Sequence, residues 1–283
     1  MTQADATPMP APIEKAAPKA ARKRRRGSRV WWVVLLIAVL YFVLPLFATF
    51  WFSARPRVPL AAYAIAFRDP ELWNHLLYSF LVALVTMVVA IGLFLPTAYW
   101  VRLRVPRLRP VVEFVTLMPF VVPAVILVFG LIRVYGSAIP LLSTRTGSDV
   151  VLVGAYVMLA MPYMYRAIDT GLRAIDIRSL TEAAQSLGAG WPTIILRVIL
   201  PNVRVALLSG AFLVLAIVMG EFTIANYLAR PAFGPYLSLL GNNQPYPAAA
   251  VSLISFGLTW LALGMVAYLG RGSRGRLPAA AVK

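Results

Sequence analysis

The chain has 283 residues, of which 60% are hydrophobic and 13% charged, with a mean hydropathy of +0.78. Soluble domains carry about 25% charged residues, so this composition excludes a soluble globular protein and marks a polytopic membrane protein. Cysteine is absent, which excludes a disulfide framework, a Cys-ligated metal and a catalytic thiol and leaves the redox compartment open.

The first 29 residues are rich in Ala, Pro, Lys and Arg and read as a disordered, basic cytoplasmic tail. The apolar stretch that follows is longer than the 7–15 residues of a signal-peptide core, so it is expected to stay as the first span. "RKRRRGS" (22–28) lacks the rest of a twin-arginine signal and reads as a topology anchor. A bilayer core takes about 20 apolar residues per helix, and six segments meet that length: 30–52, 76–101, 111–136, 149–168, 205–229 and 248–270. These form the predicted membrane domain, 30–270, followed by a cytoplasmic tail at 271–283. With six spans both termini lie on one side. The face holding the termini, 102–110 and 166–204 carries 21 Lys and Arg, against six on the other face. That asymmetry puts both termini in the cytoplasm. It also accounts for the net charge of +17 as topology, with no nucleic acid as partner.

Trp31, Trp32, Trp51, Trp100 and Tyr268 lie near span borders, where amphipathic rings favour the headgroup layer. Pro45, Pro96, Pro119, Pro123 and Pro162 fall inside spans, where each removes a helical N–H and favours a kink. His75, at an outer border, has no second histidine or carboxylate cluster near it and is not expected to bind metal. Glu113 and Arg133 sit near opposite ends of the third span and read as interfacial or snorkelling.

Between the fourth and fifth spans runs a polar, helix-forming block, 178–201, which reads as two short helices joined at a glycine turn. Leu180, Ala183, Ala184 and Leu187 share one face of the first helix, with Arg178 and Glu182 at i, i+4 on another. Gly188 and Gly190 break it, because glycine accepts the positive φ of a helix C-terminus. Pro192 suits the first turn of the next helix. There Trp191, Ile194, Ile195, Val198 and Ile199 follow an amphipathic spacing until Pro201 ends it. Periodicity alone leaves two readings open, a helix resting on lipid and a helix that docks a partner. Further on, Glu221 in "MGEFTIANYLA" falls within the fifth span, with Asn226 five residues later. An ionised group at mid-bilayer costs on the order of 2.5–3.5 kcal/mol, so Glu221 either faces a solute pathway or is paired inside the bundle.

Glu182, Ala183, Ala184, Gly188, Val198, Leu200 and Pro201 fit the pattern E-A-A, three residues, G, nine residues, I, any, L-P, with Val198 in place of isoleucine. The block therefore resembles the EAA loop of binding-protein-dependent ABC importer permeases. The stretch 162–180, with Pro162 and a short helix at 170–180, is also similar to what precedes that loop. The resemblance implies an all-α fold of the type I ABC importer permease, working as a pair of permeases with two cytoplasmic ATPase subunits. A second permease subunit, the same chain or a sibling, an extracytoplasmic substrate-binding protein and the lipid bilayer would be its partners. In such permeases the loop is the coupling helix. Glu182 would then meet a basic group of the ATPase, Ala183 and Ala184 would permit close packing, and Gly188 would make the turn. Leu200 and Pro201 close the motif. No G-x-x-x-x-G-K-[ST] phosphate loop is present, so no cofactor is expected on this chain, and ATP and Mg belong to the partner ATPase. The segment 219–257 resembles polyamine (spermidine/putrescine) permeases, with ferric-iron and thiamine branches close by; an acidic residue recurs there at the place of Glu221. An intramembrane enzyme would need clustered catalytic groups that one histidine and one lone acid do not supply. An ATP-independent channel or secondary transporter would leave the EAA block without a role.

Overall fold

The computed structural model of the chain describes residues 27–55, 60–138 and 144–271. The predicted basic tail up to residue 26 and the C-terminal tail from 272 lie outside them. All regular structure among the described residues is helical. The chain divides after Ala48 into two units. The first contains most of α1 (Gly27–Ser53), whose side chains from Trp31 to Leu44 are exposed and almost all apolar.

The second unit begins with the end of α1 and the short α2 (Ala61–Arg68). Next comes α3 (Pro70–Leu103), started by Pro70 in its first turn and by the Asp69 carboxylate, which accepts the Glu71 N–H at 2.9 Å. After a 3₁₀ turn, α4 (Arg109–Val121) and α5 (Ala124–Arg133) follow, then α6 (Arg145–Arg173) and α7 (Ile177–Ser186). The chain goes on through α8 (Trp191–Thr193), a π-helical stretch (Ile194–Ile199) and α9 (Leu200–Asn202) into α10 (Arg204–Gly220). Three further helices complete it: α11 (Thr223–Tyr227), α12 (Phe233–Asn243) and α13 (Pro245–Arg271).

The core is built around α6, which packs against α3 and α10. Lipid tails are as apolar as leucine, so helices in a membrane associate by close packing, and small residues permit it. Ala83, Ala90 and Ala98 of α3 and Ala155 and Ala160 of α6 are buried in this core. A methyl group at Gly210 of α10 would lie 2.8 Å from Met164 Sδ, and one at Gly171 of α6 only 2.6 Å from Ala206 Cβ. Large apolar side chains face outward instead, among them Leu77, Leu81, Val85 and Val88 on α3.

Among the described residues, three helices are long and apolar enough to cross a bilayer by themselves, and two bent pairs make up to five spans. The predicted sixth span, 248–270, lies within α13. The predicted third span is not one helix. It breaks at Val122–Pro123, and its halves meet at 96°. Proline disfavours helical backbone in the residue before it, and Val122 is accordingly extended. Pro45, Pro96 and Pro162 remain inside continuous helices. The predicted fourth span is extended at both ends to Arg145–Arg173, which absorbs the start of the short helix expected at 170–180. The fifth span stops at Gly220, not near 229, because the chain turns at Glu221.

Candidate functional site

The polar block between α6 and α10 folds as two helices around a glycine turn. Asp176 caps α7, accepting the Ser179 N–H at 3.2 Å and the Ser179 hydroxyl at 2.7 Å. The Ser179 hydroxyl, with the backbone amide behind it, holds the Asp176 carboxyl below the usual carboxylate range. The buried stripe of α7 is Ile177, Thr181 and Ala184, one position round from the expected face. Leu180 is half-buried, while Ala183 is exposed and Leu187 is 89% exposed. The shift has a polar cause: the Thr181 hydroxyl sits 3.1 Å from the buried Tyr99 hydroxyl of α3 and also donates to Ile177 O. Glu182 and Arg178 pair at 2.9 Å with both side chains in the open.

At the end of α7, the Gly188 N–H donates to Gln185 O at 2.8 Å and the Ala189 N–H to Ala184 O at 3.0 Å. This pair of bonds is the Schellman closure, which needs a left-handed residue at the position of Gly188. Its φ is +80°, and nothing lies within 4 Å of where a Cβ would stand. Pro192 opens the next helix, which buries Ile194, Ile195 and Ile199. The exposed Trp191 packs its ring at a tilt against Trp100 of α3, ring centroids 5.2 Å apart. Pro201 does not end this helix. It supplies no N–H and its ring crowds the carbonyl four residues back, and the turns before it widen so that the Leu200 N–H reaches Ile195 O. The helix passes through Leu200 and Pro201 to Asn202 and then bends by 82° into α10.

Beside this block, Asp169 near the end of α6 gathers three guanidiniums: Arg102 at 3.3 Å, Arg109 at 3.6 Å and Arg173 at 2.6 Å. Arg109 and Arg173 also reach Glu113, at 2.9 and 3.6 Å. The knot joins the ends of α3 and α6 to the start of α4. Glu113, expected to be merely interfacial, is part of it. Asp169 was not singled out from the sequence, because one acid inside a long apolar pattern carries no spacing signal.

Glu221 is half-buried at the turn between α10 and α11. Its Oε1 accepts the Ile224 N–H at 2.8 Å, and its Oε2 accepts the Ala225 N–H at 3.1 Å and the buried Tyr156 hydroxyl at 3.0 Å. A Cβ on Gly234 would lie 2.4 Å from the Glu221 carbonyl oxygen, so the first turn of α12 rests directly on this break. Asn226 is exposed on α11, one residue before Tyr227, whose ring lies 5.0 Å from that of Phe129 on α5. A second polar group lies nearer the predicted outer face. There Arg230, its side chain 8% exposed, pairs with Asp149 at 2.6 Å, and the Tyr78 hydroxyl donates to the same carboxylate at 2.5 Å. His75 stacks on Tyr236, which donates to Asp69 at 2.6 Å. Tyr78, Asp149 and Tyr156 are three further residues that sequence patterning passed over.

A family profile described as "Binding-protein-dependent transport system inner membrane component" matches residues 89–274. A probable molybdenum ABC transporter permease protein of Haloferax volcanii is 30% identical, over 68% of this chain and 71% of its own length. The spermidine/putrescine transport system permease protein PotB of Haemophilus influenzae is 26% identical, over 67% of this chain and 69% of its own. Among solved structures, a bacterial ABC transporter involved in the import of the acidic polysaccharide alginate superposes with a TM-score of 0.66. That match covers 88% of this chain and 97% of the other, at 13% identity. The same kind of transporter in complex with an alginate pentasaccharide-bound periplasmic protein gives a TM-score of 0.63. At such identities the likeness shows the fold.

Proposed function

The chain belongs to the family of binding-protein-dependent transport system inner membrane components, and from that premise we propose how it couples ATP hydrolysis to import. It is an ABC importer permease, a transport subunit of the inner membrane and not an enzyme. In our reading, α7 and its glycine turn are the coupling helix that enters a cytoplasmic ATPase subunit, where ATP and Mg are bound. A second permease and an extracytoplasmic binding protein complete the assembly, with both termini in the cytoplasm.

The observation that carries this reading is the tip of α7. Leu187, 89% exposed, projects beside a glycine with φ +80° and open space around it. Behind the tip the block is anchored to the bundle by Thr181 on Tyr99 and by Trp191 on Trp100. An exposed apolar end on a fixed mount is suited to transmit displacement. The Glu182–Arg178 pair is an exposed i, i+4 pair, worth only about 0.3–0.5 kcal/mol, so Glu182 exchanges Arg178 for a partner's basic group at little cost. The test is co-purification of the ATPase with Leu187→Glu permease at matched membrane levels. The variant should insert and lose the ATPase; full retention would refute the assignment.

For the solute we propose a polyamine of the spermidine/putrescine class, on the similarity to the PotB permease and on the GEFTIANYLA segment. The similarity to a probable molybdenum permease favours a second reading, a molybdenum-containing solute. ATP-dependent uptake of radiolabelled spermidine, challenged with excess molybdate, separates the two. We assign the solute pathway to the surface carrying Asn226, with Glu221 directly behind it.

A further inference from the structure

We propose that Glu221 is a positioning residue of the transport pathway, whose carboxylate clamps α11 against α6 and so sets where Asn226 and Tyr227 stand. The inference rests on the permease reading above and deepens it. A carboxylate offers about four lone-pair sites, and three are taken by donors of this same chain: Ile224 N–H, Ala225 N–H and Tyr156 O–H. A solute cation would find only the fourth site open.

The clamp sits where four helices meet. α10 ends at Gly220, α11 begins at Thr223, Tyr156 belongs to α6, and Gly234 seats α12 on the Glu221 carbonyl. α11 in turn packs against α5, the far arm of the bent third span, with Tyr227 facing Phe129. Glu221 therefore sets the contact between the broken ends of two spans. In secondary transporters, broken helices of this kind carry the solute contacts.

The hydrogen-bond polarity makes a specific demand. Glutamine has nearly the size of glutamate but replaces one acceptor oxygen with an NH₂ donor. Whichever way the amide is turned, it sets donor against donor, at Ile224 N–H or at Ala225 N–H; only the tyrosine hydroxyl can turn to accept. Aspartate is one methylene shorter, so it keeps the cap on Ile224 N–H and gives up Tyr156.

The experiment compares wild type, Glu221→Gln, Glu221→Asp and Tyr156→Phe in the assembled importer. Hydrogen exchange over residues 222–228 and the kinetics of labelled spermidine uptake are measured in parallel. Exchange in Glu221→Gln should be about tenfold faster than in wild type, and in Glu221→Asp at most about threefold faster. Uptake should lose about tenfold in Vmax in Glu221→Gln at unchanged KM, with Tyr156→Phe in between. Wild-type exchange in Glu221→Gln would overturn the clamp. So would a KM raised about tenfold at constant Vmax in Glu221→Gln with Tyr156→Phe silent, the signature of a direct ligand. Should wild type import no spermidine, the polyamine reading fails, and the exchange data alone decide on Glu221.

Discussion

Gly188 and Glu182 stand only six residues apart in sequence but serve different ends. One is needed for backbone shape and the other for charge. At Gly188 an L-residue meets no steric neighbour, so its penalty is conformational, about 1–2 kcal/mol for holding left-handed backbone. Gly188→Ala should therefore weaken the turn while leaving the bundle intact, seen as faster proteolysis at 186–191 with an unchanged melting temperature. Gly188→Asp adds charge at the docking surface. Glu182→Lys reverses the exposed pair with Arg178 and, in the proposed contact, would leave a basic group on the ATPase unpaired, about 1–3 kcal/mol for a desolvated contact. Both variants should stay in the membrane and release or uncouple the ATPase, read as lost co-purification and lost binding-protein-stimulated hydrolysis. Normal transport by both would remove the coupling assignment.

Helices in this protein are joined by two different means, and each predicts its own failure. α6 and α10 meet through small side chains, with Gly210 against Met164 and Ala167. Gly210→Leu overpacks that contact and should cost about 1–3 kcal/mol, measured as a lower melting temperature of the solubilised permease. Where the ends of α3 and α6 meet the start of α4, charge replaces packing. Asp169 is mostly buried (14% side-chain exposure) and neutralises arginines from three helices. Asp169→Asn leaves Arg109 and Arg173 to Glu113 alone and takes the carboxylate from Arg102. It should loosen the mount of α7, with ATPase activity persisting while uptake falls; equal loss of both would assign Asp169 a folding role instead.

The bias of 21 Lys and Arg on one face against six on the other predicts the arrangement of the entire chain in the membrane. Because the chain has no cysteine, single cysteines at positions 60, 143, 190 and 240 report topology without background. Only the one at 190 should be protected from an impermeant maleimide in intact cells. Protection at 143 or 240 would refute the topology. The same arrangement puts the coupling block and the Asp169 knot on the cytoplasmic side, and the Arg230–Asp149–Tyr78 cluster towards the outside.

Patterns of short range were legible before any coordinates. Membrane class follows from composition, since no water-exposed fold tolerates such hydropathy, and the turn at Gly188 follows from the backbone freedom of glycine. The EAA spacing marked the helix–glycine–helix block, because its residues lie within a few turns of one another. Long-range matters were decided only by packing. The face of α7 rotated away from Leu187 because Thr181 found Tyr99, 82 residues earlier. The third span broke at Pro123 while Pro45, Pro96 and Pro162 did not break theirs. Inside a helix a proline removes one hydrogen bond, which Pro45, Pro96 and Pro162 do without breaking theirs. Glu221, solitary in the sequence, gained Tyr156 from 65 residues away. An apolar helix pattern shows how often a residue is buried, but only the tertiary fold decides what it is buried against.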